Sequence, residues 1–380
     1  MLFALTKEQR DIVRAARKFA QGEFPDRALE FDREETFDFD LWKRACEHGF
    51  VGVFIDQAYG GAGMGFMEHS LITEEFWAVD PGIGQAILSC TFGAELLLLF
   101  GSEDQKQLVL PPLSSGEAII AGSITEADAG SDVTAVTTSA VKEGTEWVIN
   151  GAKMFTTNGN TATYLVVFCC TDPHNSSRHQ RHSFFLVPTD TPGFKSKKIY
   201  GKMGIRASDT AEISFNNLRL PDTSLISKQG EGFRQLMAFF DRTRLHICAQ
   251  AVGLARAALE ESIRHTKERR QFGAPLASFQ VTQFKIAEMA TRIKAARNLY
   301  YEAASSVDEG KVDPALIAMA KWLSAEVALH CADEAVQMHG GYGYIDEYKV
   351  NRLYRAAKIL DIYEGTKEME KTIIARSLLG

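Results

Sequence analysis

The hydrophobic period of this 380-residue chain changes twice, and that restricts its fold more than any other feature. Up to about residue 117 apolar residues recur with helical spacing, as in Ile12, Val13, Ala16, Phe19 and Ala20. Thr6 and Gln9 fit a capping box before that first helix. A glycine-rich break follows at Tyr59-Gly60-Gly61-Ala62-Gly63. From about 118 to 225 the pattern becomes short β-type runs (118–124, 146–149, 164–170, 184–188 and 211–215) with Pro173, Pro188, Pro192 and Pro221 among the turns. Asn150-Gly151 is a strong hairpin signal there. Beyond about 226, helical spacing returns over 230–270, 278–307 and 313–339, and Asp313-Pro314 supplies a cap followed by a proline suited to a first helical turn. With one final helix these make a four-helix bundle. The expected fold is α+β: an N-terminal all-α domain (1–117), a middle β-sheet or barrel-like domain (118–225) and a C-terminal four-helix bundle (226–380).

Composition narrows the function classes. A net charge of −7 argues against nucleic acid or an anionic membrane as a general partner, although a phosphate ligand needs only a local basic site. Of the six cysteines, Cys46, Cys90, Cys169, Cys170, Cys248 and Cys331, only Cys169 and Cys170 are close, and they are adjacent. No CxxC and no HExxH occurs, so no metal site is expected, and the thiols read as free and buried in a reducing compartment. The apolar stretch at 96–100 is too short to span a membrane, and the chain enters a capped helix without a leader pattern. A cytoplasmic chain is expected, ahead of a mature mitochondrial-matrix one.

The candidate chemistry lies in five strings. In Ile362-Tyr363-Glu364-Gly365-Thr366, Gly365 ends one helix and Thr366 can N-cap the next, with Glu368 and Glu370 in its first turn. Glu364 at such a junction sits beside N–H groups without helical partners, which suits a base acting next to a carbonyl; it could equally start a helix. The string 124–132 (ITEADAGSD) combines small residues and hydroxyls, as a ring-contacting turn or an ordinary polar one. In 153–159 (KMFTTNG), alternation places Phe155 and Thr157 on one side, as a flavin platform or as core and sheet residues. In 268–273 (ERRQFG) two arginines end a helix, as pyrophosphate ligands or dipole partners. In 337–343 (QMHGGYG) two glycines follow a long helix, as bare backbone for a phosphate or as a C-cap. No GxGxxG occurs, which argues against a Rossmann nicotinamide site.

Together these strings resemble the acyl-CoA dehydrogenase family over nearly the whole chain. The resemblance implies an FAD enzyme that removes the α-proton of an acyl-CoA with Glu364 while the β-hydrogen leaves as hydride to flavin N5. It implies that the Glu364 N–H and a flavin ribityl hydroxyl polarise the thioester carbonyl. It implies FAD contacts for Thr125, Phe155, Thr157, Arg269, Gln271, Phe272, Gln337, Gly340, Gly341, Thr366 and Glu368, those of the 268–273 and 337–343 strings reaching a neighbouring subunit's cofactor. It implies acyl-CoA contacts for Ser131, Leu88, Thr91, Arg244, Tyr363 and Gly365, with a homotetramer and electron-transfer flavoprotein as acceptor. His339 reads as structural. Ala356 and Glu368 depart from the family pattern, which commonly has Asp and Gln there, and Phe155 stands where Trp is frequent. Some members carry the base within the string here written Asp241-Arg242-Thr243-Arg244; Thr243 is not a base, so Glu364 is the candidate.

The string 82–92 (GIGQAILSCTF), the expected floor of the acyl pocket, contains no Lys, Arg or His. That favours an uncharged acyl group over the dicarboxylyl substrate of a decarboxylating dehydrogenase. The mixed floor resembles members acting on branched or alicyclic groups such as cyclohexane-carboxyl-CoA. An acyl-CoA oxidase or a non-catalytic CoA-binding relative would carry the same strings.

Overall fold

A computed structural model of the chain describes residues 4–380. Seven helices come first: α1 (Lys7–Glu23), α2 (Pro25–Glu34), α3 (Phe39–Glu47), α4 (Phe66–Val79), α5 (Pro81–Leu88), α6 (Ala94–Phe100) and α7 (Glu103–Ser114). The Thr6–Gln9 capping box opens α1, whose Ala16 and Ala20 are fully buried. Helix α4 is buried on nearly every side, because it packs against α1, α8 (Gly232–Glu268) and α9 (Gln280–Asp308).

The middle of the chain forms one seven-stranded sheet from β1 (Ile120–Ser123), β2 (Ser139–Glu143), β3 (Glu146–Thr157), β4 (Tyr164–Cys170), β5 (His182–Pro188), β6 (Phe194–Lys198) and β7 (Thr210–Pro221). Its order is β1-β4-β2-β3-β7-β6, with β5 also on β4. Asn150-Gly151 is not a hairpin turn. The β2–β3 hairpin turns at Gly144 and Thr145, and β3 runs through Asn150-Gly151 to pair with β7. Gly151 is needed for proximity: at φ 147° a Cβ there would lie 2.6 Å from the Thr138 hydroxyl. The extra residue is on β7, where Asn217 donates its N–H to the Asn150 side chain at 2.8 Å.

After α8 come the short hairpin β8 (Arg270–Gln271) and β9 (Ala274–Pro275), then α9, α10 (Pro314–His339), α11 (Lys349–Ala357) and α12 (Lys367–Leu379). Asp313 caps α10 through the Ala315 and Leu316 N–H groups. Helices α8, α9 and α10 pack on one another and α12 lies on α10. One core joins the first helices to the sheet through Phe76, Trp147, Ile149 and Phe185; another fills the space between α4, α8, α9 and α10.

Two stretches, Pro81–Phe100 and Pro314–Tyr344, do reach the length and apolarity of a membrane span, contrary to the expectation from 96–100 alone. They lie largely inside the protein, and the first is broken at Gly93. The first comprises α5, a 3-10 turn and α6, and the second is α10 with the turn after it.

Candidate active site

The chain between α11 and α12 begins with a short 3-10 turn (Lys358–Asp361), and Tyr363 donates its N–H back to the Ile359 carbonyl. Glu364 then turns left-handed at φ 57° and Gly365 at φ 100°. Thr366 caps α12 by accepting from the Met369 N–H. Among the described residues the Glu364 N–H meets no acceptor. A non-glycine residue at positive φ is held there by its surroundings. Arg244 Nε donates to the Glu364 carbonyl at 2.9 Å, and Lys321 Nζ donates to the Gly365 carbonyl. The Glu364 carboxylate accepts from the Thr243 hydroxyl at 2.5 Å. Thr243, no base itself, is thus the hydrogen-bond donor to the candidate base.

Burial raises the Glu364 carboxyl above its ordinary range, and the Thr243 hydroxyl, Arg244 and Lys321 pull it partly back. The residue as a whole is half-buried, and burial is the leading influence on its carboxyl. That is the balance expected of a proton acceptor: desolvated enough to be basic, hydrogen-bonded enough to stay in one place.

Hydrogen bonds connect this turn to the floor. The Tyr363 hydroxyl donates to the Gln250 side chain on α8, and Gln250 donates to Gln85 on α5 at 2.9 Å. Leu88 and Thr91 of the expected floor are buried on α5 and the 3-10 turn after it. Ser89, beside them, accepts from the Asn158 amide at 3.1 Å. Asn158 follows β3, so one hydrogen-bonded frame runs from the base turn through the floor to the 153–159 string. Gln85, Gln250 and Asn158 were missed in the sequence because glutamines inside a helical pattern look like surface residues, and an asparagine before a glycine looks like a plain turn.

Thr125 and the 153–159 string lie side by side. Met154 donates its N–H to the Thr125 carbonyl at 2.8 Å, and Lys153 Nζ donates to the Ile124 carbonyl at 2.9 Å and to Glu126 at 2.8 Å. The regular alternation at Phe155 and Thr157 is interrupted. An extra residue on β3 bulges between Lys153 and Thr156, with Phe155 at φ 59° and 62% exposed. Thr157 and Thr125 are half-buried and Ser131 is exposed. An uncovered ring beside two half-open hydroxyls fits the face and edge of a flat cofactor such as a flavin.

The remaining two strings form a second cluster. Arg269 ends α8, and its guanidinium lies over the Tyr342 ring, 5.7 Å from the centroid. Gln271 and Phe272 sit on the β8–β9 hairpin, with Phe272 97% exposed. Gln337 is on the last turn of α10; Gly340 and Gly341 follow it with open space where a Cβ would stand. His339 is buried and stacked on His265. Among the described residues no hydrogen bond or ion pair joins this cluster to Thr125 or Glu364. Thr366 is occupied as a helix cap, and Glu368 is exposed.

Family profiles match three successive stretches: "Acyl-CoA dehydrogenase, N-terminal domain" over residues 6–117, "middle domain" over 121–218 and "C-terminal domain" over 230–379. The short-chain-specific acyl-CoA dehydrogenase of Clostridium acetobutylicum is 39% identical over 376 residues, 99% of each chain. The butyryl-CoA dehydrogenase structure from Megasphaera elsdenii superposes with a TM-score of 0.95 at 36% identity, covering 100% of both chains. A chain from a structural study of the electron transferring flavoprotein of Acidaminococcus fermentans superposes with a TM-score of 0.96 at 39% identity, also covering 100% of both.

Proposed function

This chain belongs to the acyl-CoA dehydrogenase family of FAD-dependent oxidoreductases, and from that premise we propose that Glu364 is the base that removes the α-proton of the acyl-CoA. The single observation that carries the assignment is its geometry: a desolvated carboxylate fixed by Thr243, in a strained turn whose own N–H meets no acceptor among the described residues. The Glu364 N–H is then available to a thioester carbonyl, stabilising the negative charge that appears on oxygen as the α-proton leaves. Arg244 and Lys321 hold the carbonyls of Glu364 and Gly365, so the two peptides that follow the donor N–H are both braced. When FAD is bound it accepts the β-hydrogen as hydride.

Thr125, Phe155 and Thr157 are assigned to the flavin ring on the exposure and geometry given above. Arg269, Gln271, Phe272, Gln337, Gly340 and Gly341 are assigned to a neighbouring subunit's FAD, because they cluster apart from the base and point open backbone and an uncovered ring outward. That assignment calls for an assembly of at least two subunits, and the family resemblance extends it to a homotetramer, with domains at 1–117, 118–225 and 226–380. Electron-transfer flavoprotein is the proposed acceptor, supported by the likeness to the Acidaminococcus-study chain, and a cytoplasmic setting by the bacterial relatives.

The proposed substrate is an uncharged, compact acyl-CoA, short, branched or alicyclic. The floor brings no cation, and Glu95 on α6 adds a buried carboxylate whose charge reaches Glu364. Burial raises Glu95 to about 7, opposed in part by backbone hydrogen bonds and by Arg242. Glu364→Gln tests the base: FAD and acyl-CoA binding persist while turnover falls by at least about three decades. Turnover within tenfold of the parent enzyme would remove Glu364 from the mechanism.

A further inference from the structure

Behind the base turn lies a second carboxylate that the mechanism does not use. Glu370, in the first turn of α12, is 0% exposed. Among the described residues, neither of its oxygens receives a hydrogen bond. Its close ionic neighbour is Arg244, whose Nε lies 3.2 Å from Oε1. That same Nε donates to the Glu364 carbonyl. The carboxylate also packs on the turn itself, since a Cβ built on Gly365 would fall 2.2 Å from Glu370 Oε1.

The charged and titratable groups that face this point come from three elements. Arg244 and Asp241 are on α8, with the Cys248 thiol; Lys321 is on α10; Glu364 is on the turn. Glu364 in turn faces Thr243, Arg244, Lys321 and, from α6, Glu95. Two buried cations therefore serve two buried carboxylates, and the two carboxylates compete for the same positive charge.

We propose that Glu370 is a positioning residue that controls the strength of the base: when ionised, it takes up part of the Arg244 and Lys321 charge that otherwise weakens Glu364. The proposal rests on Glu364 being the base. An ionised Glu370 makes the Glu364 anion less comfortable, and so a better proton acceptor. A protonated Glu370 leaves both cations to Glu364 alone. Because no hydrogen bond ties down either Glu370 oxygen, a proton can come and go there without breaking a network. Burial, partly opposed by Arg244 and Lys321, raises Glu370 to about 7. The carboxylates titrate as a pair, and enzyme activity carries two steps on the acid side: ionisation of the base, then its strengthening as Glu370 ionises.

The test uses the FAD-loaded enzyme and a series of pH values. Glu370→Gln keeps the shape and removes the charge. The ratio of wild-type to variant kcat/KM rises severalfold between about pH 6 and about pH 8, because only the wild type gains the second step. Glu370→Asp restores the pH dependence. A merely structural role for Glu370 lowers the rate by the same factor at every pH, and a constant ratio overturns the proposal. If Glu370→Gln does not fold, Lys321→Gln probes the same balance from the other side. Loss of a shared cation moves the acid limb to higher pH by about one unit, and an unmoved limb overturns the proposal. Glu364→Gln run in parallel separates the two ideas. Loss of turnover there with a constant Glu370→Gln ratio defeats this proposal alone; retained turnover there defeats the base assignment itself.

Discussion

The Thr243 hydroxyl on α8 donates to the Glu364 carboxylate, on the turn before α12, at 2.5 Å. The bond favours the ionised carboxylate and so holds its pKa below what burial alone would give. Thr243→Val removes the donor and keeps the shape. The sign follows directly: without the bond the Glu364 pKa rises, so the acid limb of kcat/KM moves to higher pH, by about one unit. Thr243→Ser keeps the limb in place. A limb that stays put in Thr243→Val, measured over the full pH range, would show that the bond does not act on the base.

The Lys153–Glu126 pair ties the Ile124–Glu126 segment to β3, and with it both strings assigned to the flavin ring. Lys153 is 0% exposed. Burial alone would raise Glu126, but Lys153 and donors from Thr137 and Thr138 outweigh it and hold Glu126 at about 2. A depressed carboxylate pKa contributes stability that is present above the ordinary value and lost as pH falls toward about 2. Lys153→Met leaves that carboxylate buried without its partner, at a cost of about 3–5 kcal/mol. The expected outcome is a markedly lower Tm near neutral pH and easier loss of FAD. Calorimetry with flavin absorbance reads both, and a variant as stable as the parent would contradict the role given to the pair.

Arg269 and Tyr342 stack at the outward-facing cluster. If this cluster completes a neighbour's FAD site, Arg269→Ala lowers FAD affinity about ten- to hundredfold, the size expected for a lost charged hydrogen bond. The assembly loosens together with it. Sedimentation of the wild type that found a monomer with full FAD would refute the shared site.

Periodicity made the helices legible, since long amphipathic runs such as 313–339 have few competing structures. The sheet was less so. Asn150-Gly151 has the local chemistry of a hairpin, but β3 continues to pair with β7 beyond it, and long-range pairing overrode the local preference. The bulge at Phe155 was invisible for the same reason. The buried charges left a fainter trace: Glu95 stands against Leu96 and Leu97, and Lys321 lies in a run of Ala, Ile and Met. A lone charge in an apolar helical run argues for a partner inside the protein. Glu370 gave no such sign, because an acidic residue in the first turn of a helix is commonplace.

The acyl pocket supplies the last prediction. Its floor, Gly82 to Phe92, contains no cation, and Glu95 beyond it is a buried carboxylate. A lone distal carboxylate on the substrate would be buried without a partner, at a cost of several kcal/mol. Leu88, Cys90 and Thr91 are all buried, and the proposal of a compact substrate rests on their medium size. A compact acyl group is therefore expected to react faster than a long straight one. The measurement is kcat/KM for butyryl-, cyclohexane-carboxyl-, glutaryl- and palmitoyl-CoA with an artificial electron acceptor. Butyryl- or cyclohexane-carboxyl-CoA should exceed glutaryl-CoA by about a hundredfold or more, which corresponds to an unpaired buried charge of about 3 kcal/mol. Best activity on glutaryl-CoA would overturn the charge assignment of the floor, and best activity on palmitoyl-CoA its size.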